Sequence, residues 1–419
     1  MERRHFFKHL AAASASSLLS LHVPRWSAYA QVGESRPHFF IYIFASGGWD
    51  PTQVFEIKPG LSSIDVDPGA DAVQSGNINY FHNTDRPWVK TFFDDFYSQC
   101  CIINGVNTQS VSHEVGTEIM MTGDAGVPRP DWPTIISSET GPDLLLPHMA
   151  LSGPSYSGTL GSGTSSGTGF ISLLLFEGSW TAASATTEAT LDAYTQRRFE
   201  TLMERYTLEG RTGSKFQEME ESFRRWRELK DIKNDLGDEF TDLDGLGGEG
   251  VALATAFERG YAITGTLEAR ASWDSHSNNN GQQNQGFDDT FQGLHEIVTH
   301  LSNRPATSGS GTLLDQTTLM VMSEMGRTPK LNGSNGKDHW PITSVLMVGG
   351  GVSGNKVIGS TDDFQNSELV DFQTGQVSSS GLEISSANIG STLLSMAGLN
   401  PNDFLPSTVP AFTAFRAGA

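Results

Sequence analysis

Residues 39–50 read FFIYIFASGGWD, and they give the clearest indication of the fold. The first six are almost wholly apolar and rich in isoleucine and aromatic side chains, and glycine and polar residues follow at once. A short apolar run of this kind predicts a strand that is buried on both faces, as in a mostly parallel sheet covered by helices. Ligands of open α/β sheets bind beyond the carboxyl ends of such strands, so Asp50 is the first candidate functional residue.

Three further apolar runs have the same character. They are Cys101–Val106, Thr317–Met322 and Ile342–Val348. Polar clusters follow three of the four predicted strands, at Ser46–Asp50, Asn107–His113 and Ser323-Glu324. The sequence therefore predicts an α/β protein with a mostly parallel central sheet and a site along one edge of it.

Helices are predicted between and after the strands. Apolar residues at three- and four-residue spacing from Phe291 to Leu301 predict one helix, and Ile389–Met396, followed by Gly398, predicts another. The charged segment at about 187–241 predicts a helical hairpin, inserted into a single domain that spans residues 31–419. By contrast, the amide-rich stretch Asn278–Gly286 predicts a polar loop.

The first thirty residues predict a twin-arginine signal peptide. Arg3-Arg4 precede a short apolar run, and Ala28-Tyr29-Ala30 fits a signal peptidase site. The predicted location is periplasmic or secreted, with the twin-arginine export machinery as a partner; a frayed basic N-terminus is the alternative. The apolar run is shorter than the roughly 20 residues that a membrane helix needs, so no transmembrane segment is expected.

The net charge limits the kinds of molecule that the protein is expected to bind. The formal net charge is −21, and such a field repels the phosphates of nucleic acids, which are therefore not expected to bind. It also makes a small anionic substrate harder to attract, unless a bound metal reverses the sign of the charge locally.

Carboxylates and imidazoles recur together in the segments that carry the candidate site. The residues concerned are Asp50, His113, Asp274, His276, Glu324 and His339. Such a combination suits zinc, manganese or iron, and two of these residues, Asp274 and His276, have the spacing to chelate one ion from a loop. Each residue taken alone is more often a helix cap or a hydrogen-bonded loop residue than a metal ligand.

Several motifs then occur in a fixed order. They are Ser112–Gly116, Met121–Gly123, Trp273–His276, Ser323–Pro329 and Asp338–Pro341. With this set the chain resembles, from about residue 36 to residue 400, the secreted bacterial family catalogued as domain of unknown function 1501. That family in turn resembles the alkaline phosphatase and sulfatase superfamily.

The resemblance implies an alkaline-phosphatase-like sheet flanked by helices, and a divalent-metal site whose ion would be zinc, manganese, iron or calcium. It implies metal ligands at Asp50, Asp274, His276, Glu324 and His339. His113, with Ser112 beside it, falls at the position of the nucleophile, where it could serve as ligand, general base or nucleophile. Met325 replaces a histidine of the second metal site, and Arg327 is expected either to clamp an anion or to pair with a carboxylate.

Two functions follow as expectations. The first is an exported, metal-dependent hydrolase of phosphate or sulfate esters with an altered metal and nucleophile site. The second is a binding or assembly protein of the cell envelope that has kept the fold without turnover, which the exchanges at His113 and Met325 favour. Fold resemblance alone does not separate them.

Overall fold

The computed structural model describes residues 37–126, 128–160, 185–210, 214–231 and 244–418. The predicted signal peptide lies outside these residues. The strands are β1 Phe39–Phe44, β2 Asp71–Ser75, β3 Ile78–His82, β4 Cys100–Asn107, β5 His148–Ala150, β6 Thr264–Glu268, β7 Thr317–Met322, β8 Gly326–Arg327, β9 His339–Trp340, β10 Ile342–Gly349, β11 Lys356–Ile358 and β12 Ile384–Ser385.

The helices are interspersed with the strands. They are α1 Pro51–Val54, α2 Pro87–Phe96, α3 His113–Thr122, α4 Trp132–Thr140, α5 Ala185–Leu208, α6 Ser214–Asp231, α7 Gly245–Glu258, α8 Asn279–Asn303 and α9 Ser386–Met396. Within the described ranges, every helix is too short or too polar to cross a membrane.

A central sheet organises the molecule, with the strand order β11-β4-β10-β7-β1-β6-β5 and β12 paired to the end of β4. All of its pairings are parallel except those of β10, which runs antiparallel to β4 and β7. The prediction of a mostly parallel α/β sheet flanked by helices is confirmed.

Strand β1 is buried on both faces because its side chains alternate between two apolar layers. Phe39, Ile41 and Ile43 pack into the layer that contains residues of α2, α7 and α8. The intervening residues Phe40, Tyr42 and Phe44 pack into the layer of α3, α4 and α9. Since helices cover both faces, an uninterrupted apolar run is what this position requires.

The antiparallel direction of β10 matters for the site. It places the first residue of β10 at the edge where the parallel strands end, and Ile342 lies opposite Asn107, the last residue of β4. The segment before β10, which contains His339, therefore meets the loops that follow β1, β4, β6 and β7.

The predicted polar loop at Asn278–Gly286 is wrong, because Asn279 begins α8. Two of its amide side chains, those of Asn279 and Gln283, are fully buried and hydrogen-bonded to the site loops. Gln283 accepts from the backbone N–H of Asp50 (2.8 Å) and donates to the carbonyl oxygen of Trp273 (2.9 Å). Composition indicates a loop here, but these long-range hydrogen bonds satisfy the amides within a helix.

The charged insertion contains two helices in its described parts. Helix α5 ends at Leu208 and α6 begins at Ser214. The rings of Phe199 and Phe223 stack with centroids 3.9 Å apart, and the Arg225 guanidinium donates to the carbonyl oxygen of Pro142 at 2.6 Å. The division into a single domain with an insertion stays a prediction.

Candidate metal centre

Three imidazoles surround one carboxylate oxygen at the carboxyl edge of the sheet. The Nε2 atoms of His339, His276 and His113 lie 3.1, 3.2 and 3.6 Å from Oδ1 of Asp274. His113 is the first residue of α3, His339 lies in β9, and Asp274 and His276 belong to the loop after β6. His113, Asp274 and His339 each offer a ligand atom within 4.8 Å of the others.

The outer nitrogen of each imidazole is held by an acceptor. Nδ1 of His113 lies 2.7 Å from Oε1 of Glu324. Nδ1 of His276 lies 2.8 Å from Oδ1 of Asp338, and Nδ1 of His339 lies 2.8 Å from the carbonyl oxygen of Val111. Where Nδ1 donates to these acceptors, the Nε2 lone pair of a neutral ring points inward, toward Oδ1 of Asp274. Metal-binding histidines are oriented in this way.

The spacing of the inner atoms fits a bound cation. Nε2 of His276 and Nε2 of His339 are 3.0 Å apart, and two rings that both present a lone pair there would repel each other, which either a proton or a metal ion between them relieves. Ligand atoms about 2.0–2.1 Å from a tetrahedral zinc ion are separated by roughly 3.3 Å. The distances around Asp274 match that spacing.

Neighbouring charged groups shift the pKa values of Asp274 and His113. Partial burial disfavours the charged form of Asp274, but hydrogen bonds from Arg327 and His339 outweigh it and lower its pKa to about 2. The hydrogen bond to Glu324 raises the pKa of His113 above its ordinary value. The geometry thus combines an ionised carboxylate with three imidazoles, which is a donor set for a divalent ion.

Arg327 is fully buried and joins three loops. Its Nε donates to the carbonyl oxygen of Gly48 (2.8 Å) and its Nη1 to that of Lys337 (3.1 Å). Its Nη2 donates to the carbonyl oxygen of Gly47 and, at 2.7 Å, to Oδ1 of Asp274. Of the two roles considered for Arg327, its contacts are those of a side chain that pairs with a carboxylate.

Gly47 and Gly48 permit this close approach. Both have positive φ, at 125° and 81°. A Cβ atom at Gly47 would lie 2.9 Å from the Trp273 side chain, and one at Gly48 would lie 3.2 Å from Nη2 of Arg327. Any side chain at either position would therefore displace the loop from the guanidinium.

The carboxylate of Asp50 lies outside this cluster and is bound by other residues. Its Oδ2 lies 2.8 Å from Nζ of Lys337 and accepts from the Asn279 amide at 2.9 Å, while its Oδ1 accepts from the N–H and hydroxyl of Thr52. The side chains of Asp50 and Lys337 are both 0% exposed. A metal ion at Asp50 would have to displace this ammonium.

Two other predicted residues occupy supporting or peripheral positions. Glu324 is buried behind His113, and its Oε1 also accepts from the N–H of Gly47 at 2.7 Å. Ser112 is exposed and precedes α3 without capping it through its side chain. The structure therefore brings together Asp274, His276, His339 and His113, and leaves Asp50 and Glu324 outside the inner set.

Sequence reasoning missed three residues that support the centre. Asp338 holds His276, and Lys337 neutralises Asp50. Asn332 donates to the carbonyl oxygen of His276 (3.0 Å) and to Asp338 (3.3 Å). The carboxylate directly before His339 was a visible signal for Asp338, whereas the sequence carries no local signal for the other two.

The fold and this cluster define an α/β protein with histidines and a carboxylate in positions where they could hold a metal ion. The chain belongs to the family described as "Protein of unknown function (DUF1501)", which matches residues 39–374. The predicted family is thereby confirmed. No curated protein matches the chain in sequence.

Solved structures similar to the chain include a protein in the alkaline phosphatase superfamily from Vibrio parahaemolyticus, at 9% identity and a TM-score of 0.38, with 87% of this chain and 67% of that chain covered. Another is Ps i-CgsB in complex with k-i-k-neocarrahexaose, at 10% identity, TM-score 0.39, and 90% and 75% coverage. A third, from Bacteroides thetaiotaomicron, was solved in work on the metabolism of multiple glycosaminoglycans, at 12% identity, TM-score 0.36, and 92% and 78% coverage.

The role of Glu324 can be tested by replacing it with glutamine. Glu324→Gln keeps the size of the side chain but removes the charge that orients His113, so we expect metal affinity to fall by about 10- to 100-fold. Competition with a chelating dye measures the affinity. Glu139→Gln, an exposed change on α4, is the control. Equal affinities of the two variants would show that Glu324 does not act on the centre.

The buried ion pair beneath the centre gives a second test. Lys337→Met leaves the Asp50 carboxylate buried without its cation, which should lower the free energy of unfolding by about 3–5 kcal/mol. Lys330→Met removes the partner of Asp65 in a pair whose lysine is 53% exposed, and should cost about 0–1 kcal/mol. Urea unfolding compares the two variants, and similar losses would contradict the assignment.

Proposed function

We propose that this protein is a metal-dependent hydrolase of phosphate or sulfate esters, with one divalent ion held by His113, Asp274, His276 and His339. One observation carries the proposal. Three inward-facing Nε2 atoms gather around Oδ1 of Asp274, and each ring is oriented through Nδ1 by its own acceptor. Structural polar residues have no need of this convergence of lone pairs.

The donor set narrows the choice of metal. Three imidazoles and one carboxylate suit zinc best, and manganese or iron also accept them. Calcium takes six to eight oxygen ligands, so it fits these residues poorly. Zinc is therefore the ion that we propose.

The residues around the proposed ligands orient their side chains and leave the centre accessible to a substrate. A bound divalent ion supplies a Lewis acid and activates water near neutral pH. Glu324 and Asp338 fix the rings of His113 and His276, and Arg327 fixes Asp274. The side chains of His276 and Asp274 are 47% and 50% exposed, which leaves one side of the centre open to a substrate.

A non-catalytic binding protein is the second candidate. It is favoured by Ser112, the hydroxyl nearest to His113 in sequence, which is exposed and precedes the helix rather than lying in the inner set. Without an activated side-chain nucleophile, turnover depends on water alone. A metal-loaded protein that hydrolyses no phosphate or sulfate ester would support this candidate.

Metal content tests the centre directly. We expect about one equivalent of zinc in the protein as purified, and much less in Asp274→Ala and His339→Ala. Both variants and the chelated wild type should melt at lower temperature, because bound metal stabilises the native state. Elemental analysis and thermal melts provide the measurements, with Glu139→Ala as control. Unchanged metal content in both site variants would overturn the proposal.

We further propose export by the twin-arginine route, on the basis of Arg3-Arg4 and Ala28-Tyr29-Ala30. Replacing both arginines by lysine should leave the full-length precursor in the cytoplasm, because that route reads the arginine pair. Cell fractionation with N-terminal sequencing tests this. A processed, exported double-lysine variant would contradict it.

A further inference from the structure

The positively charged side chains on the segments that build the centre are all neutralised. These segments are residues 45–56, 107–116, 269–278 and 323–341, and their lysines and arginines are Arg270, Arg327, Lys330 and Lys337. Each forms an ion pair, with Glu249 (2.9 Å), Asp274 (2.7 Å), Asp65 (2.6 Å) and Asp50 (2.8 Å) respectively.

The two cations beneath the centre are also inaccessible. The side chains of Arg327 and Lys337 are 0% exposed. Arg327 is committed to carbonyl oxygens of two loops and to Asp274, and Lys337 also donates to the hydroxyl of Thr52 at 3.0 Å. Neither side chain can turn toward a ligand without leaving its carboxylate partner and its other buried hydrogen bonds, which is costly.

Negative charge, by contrast, surrounds the imidazoles. Asp274, Glu324 and Asp338 contact the rings, and among the described residues only Arg327 forms an ion pair that offsets them, so two negative charges remain. A divalent ion brings this local sum to zero. A dianion bound there would restore two uncompensated negative charges close to Asp338, whose side chain is 59% exposed, whereas a monoanion would restore one.

We infer that the group bound at this centre carries at most one negative charge, so that sulfate monoesters and phosphate diesters are its substrates and phosphate monoesters are not. A phosphate monoester loses its second proton at a pKa of about 6 and is a dianion above neutral pH. The inference rests on the proposed metal-dependent function and narrows its substrate class.

A matched pair of ligands isolates the charge. Phenyl phosphate and phenyl methylphosphonate have nearly the same shape, but a methyl group replaces one charged oxygen in the second. Calorimetric titration of the zinc-loaded protein, about two pH units above the second pKa of phosphate, gives both affinities. We expect the methylphosphonate to bind about tenfold tighter or more, a difference of about 1.4 kcal/mol. Equal or tighter binding of phenyl phosphate, or binding of neither, would overturn the inference.

A variant shows whether the local charge causes the preference. Asp338→Asn retains an oxygen that can accept from His276 but removes the exposed negative charge. In the metal-saturated variant we expect the ratio of the affinities for phenyl methylphosphonate and phenyl phosphate to fall severalfold, because the repulsion of the dianion is reduced. Loss of the hydrogen bond to His276 alone would affect both ligands and would leave the ratio unchanged. Glu139→Gln is the control for a distant charge. An unchanged ratio in Asp338→Asn would contradict the charge argument.

Turnover separates failure of this inference from failure of the proposed function. The rates to compare are kcat/KM for p-nitrophenyl sulfate, bis(p-nitrophenyl) phosphate and p-nitrophenyl phosphate. Faster hydrolysis of either monoanion supports the inference. Faster hydrolysis of p-nitrophenyl phosphate by the metal-loaded protein would refute the inference and leave the hydrolase proposal intact, while a protein that takes up no metal would refute both.

Discussion

The buried guanidinium of Arg327 is the contact on which the centre depends. It connects the loop after β1, the loop after β6 and the segment before β9 through three carbonyl oxygens and the carboxylate of Asp274. A charged group without solvent is tolerated only where its hydrogen bonds are made, so none of these loops can shift alone. The position of Asp274, and with it the position of the ligand cluster, follows from this constraint.

A second polar layer extends the same constraint into the fold. Asp50 pairs with Lys337 and accepts from Asn279, while Gln283 binds the backbone of the loops that contain Asp50 and Trp273. These contacts join the start of α8 to the loops at the sheet edge. A buried polar network is stabilising only when every polar group in it has its hydrogen bonds. The buried amide side chains supply those bonds beneath the cluster, although no amide belongs to the cluster itself.

Much of this arrangement could be predicted from local sequence. The features that could not be predicted all depend on contacts between residues far apart in the chain. The bounds of β1 and β7 follow from their apolar runs, and four residues of the inner set follow from motifs of histidine and carboxylate. The partner of Asp50 and the helical state of residues 279–286 depend on contacts between distant segments. Glu324 shows why the role of a single residue is hard to predict. An acidic residue at the end of a strand looks the same in the sequence whether it binds a metal ion directly or binds a histidine that is itself a metal ligand.

The acceptors behind the three imidazoles differ, and this difference gives the centre a rigid side and an open side. Glu324 is 1% exposed and also accepts from Gly47 and Ser323, so its bond to His113 is shielded from water. Asp338 is 59% exposed, and solvent weakens its bond to His276 by screening. The His276 side is therefore the more adaptable one, and a ligand that approaches it meets the exposed charge of Asp338 there.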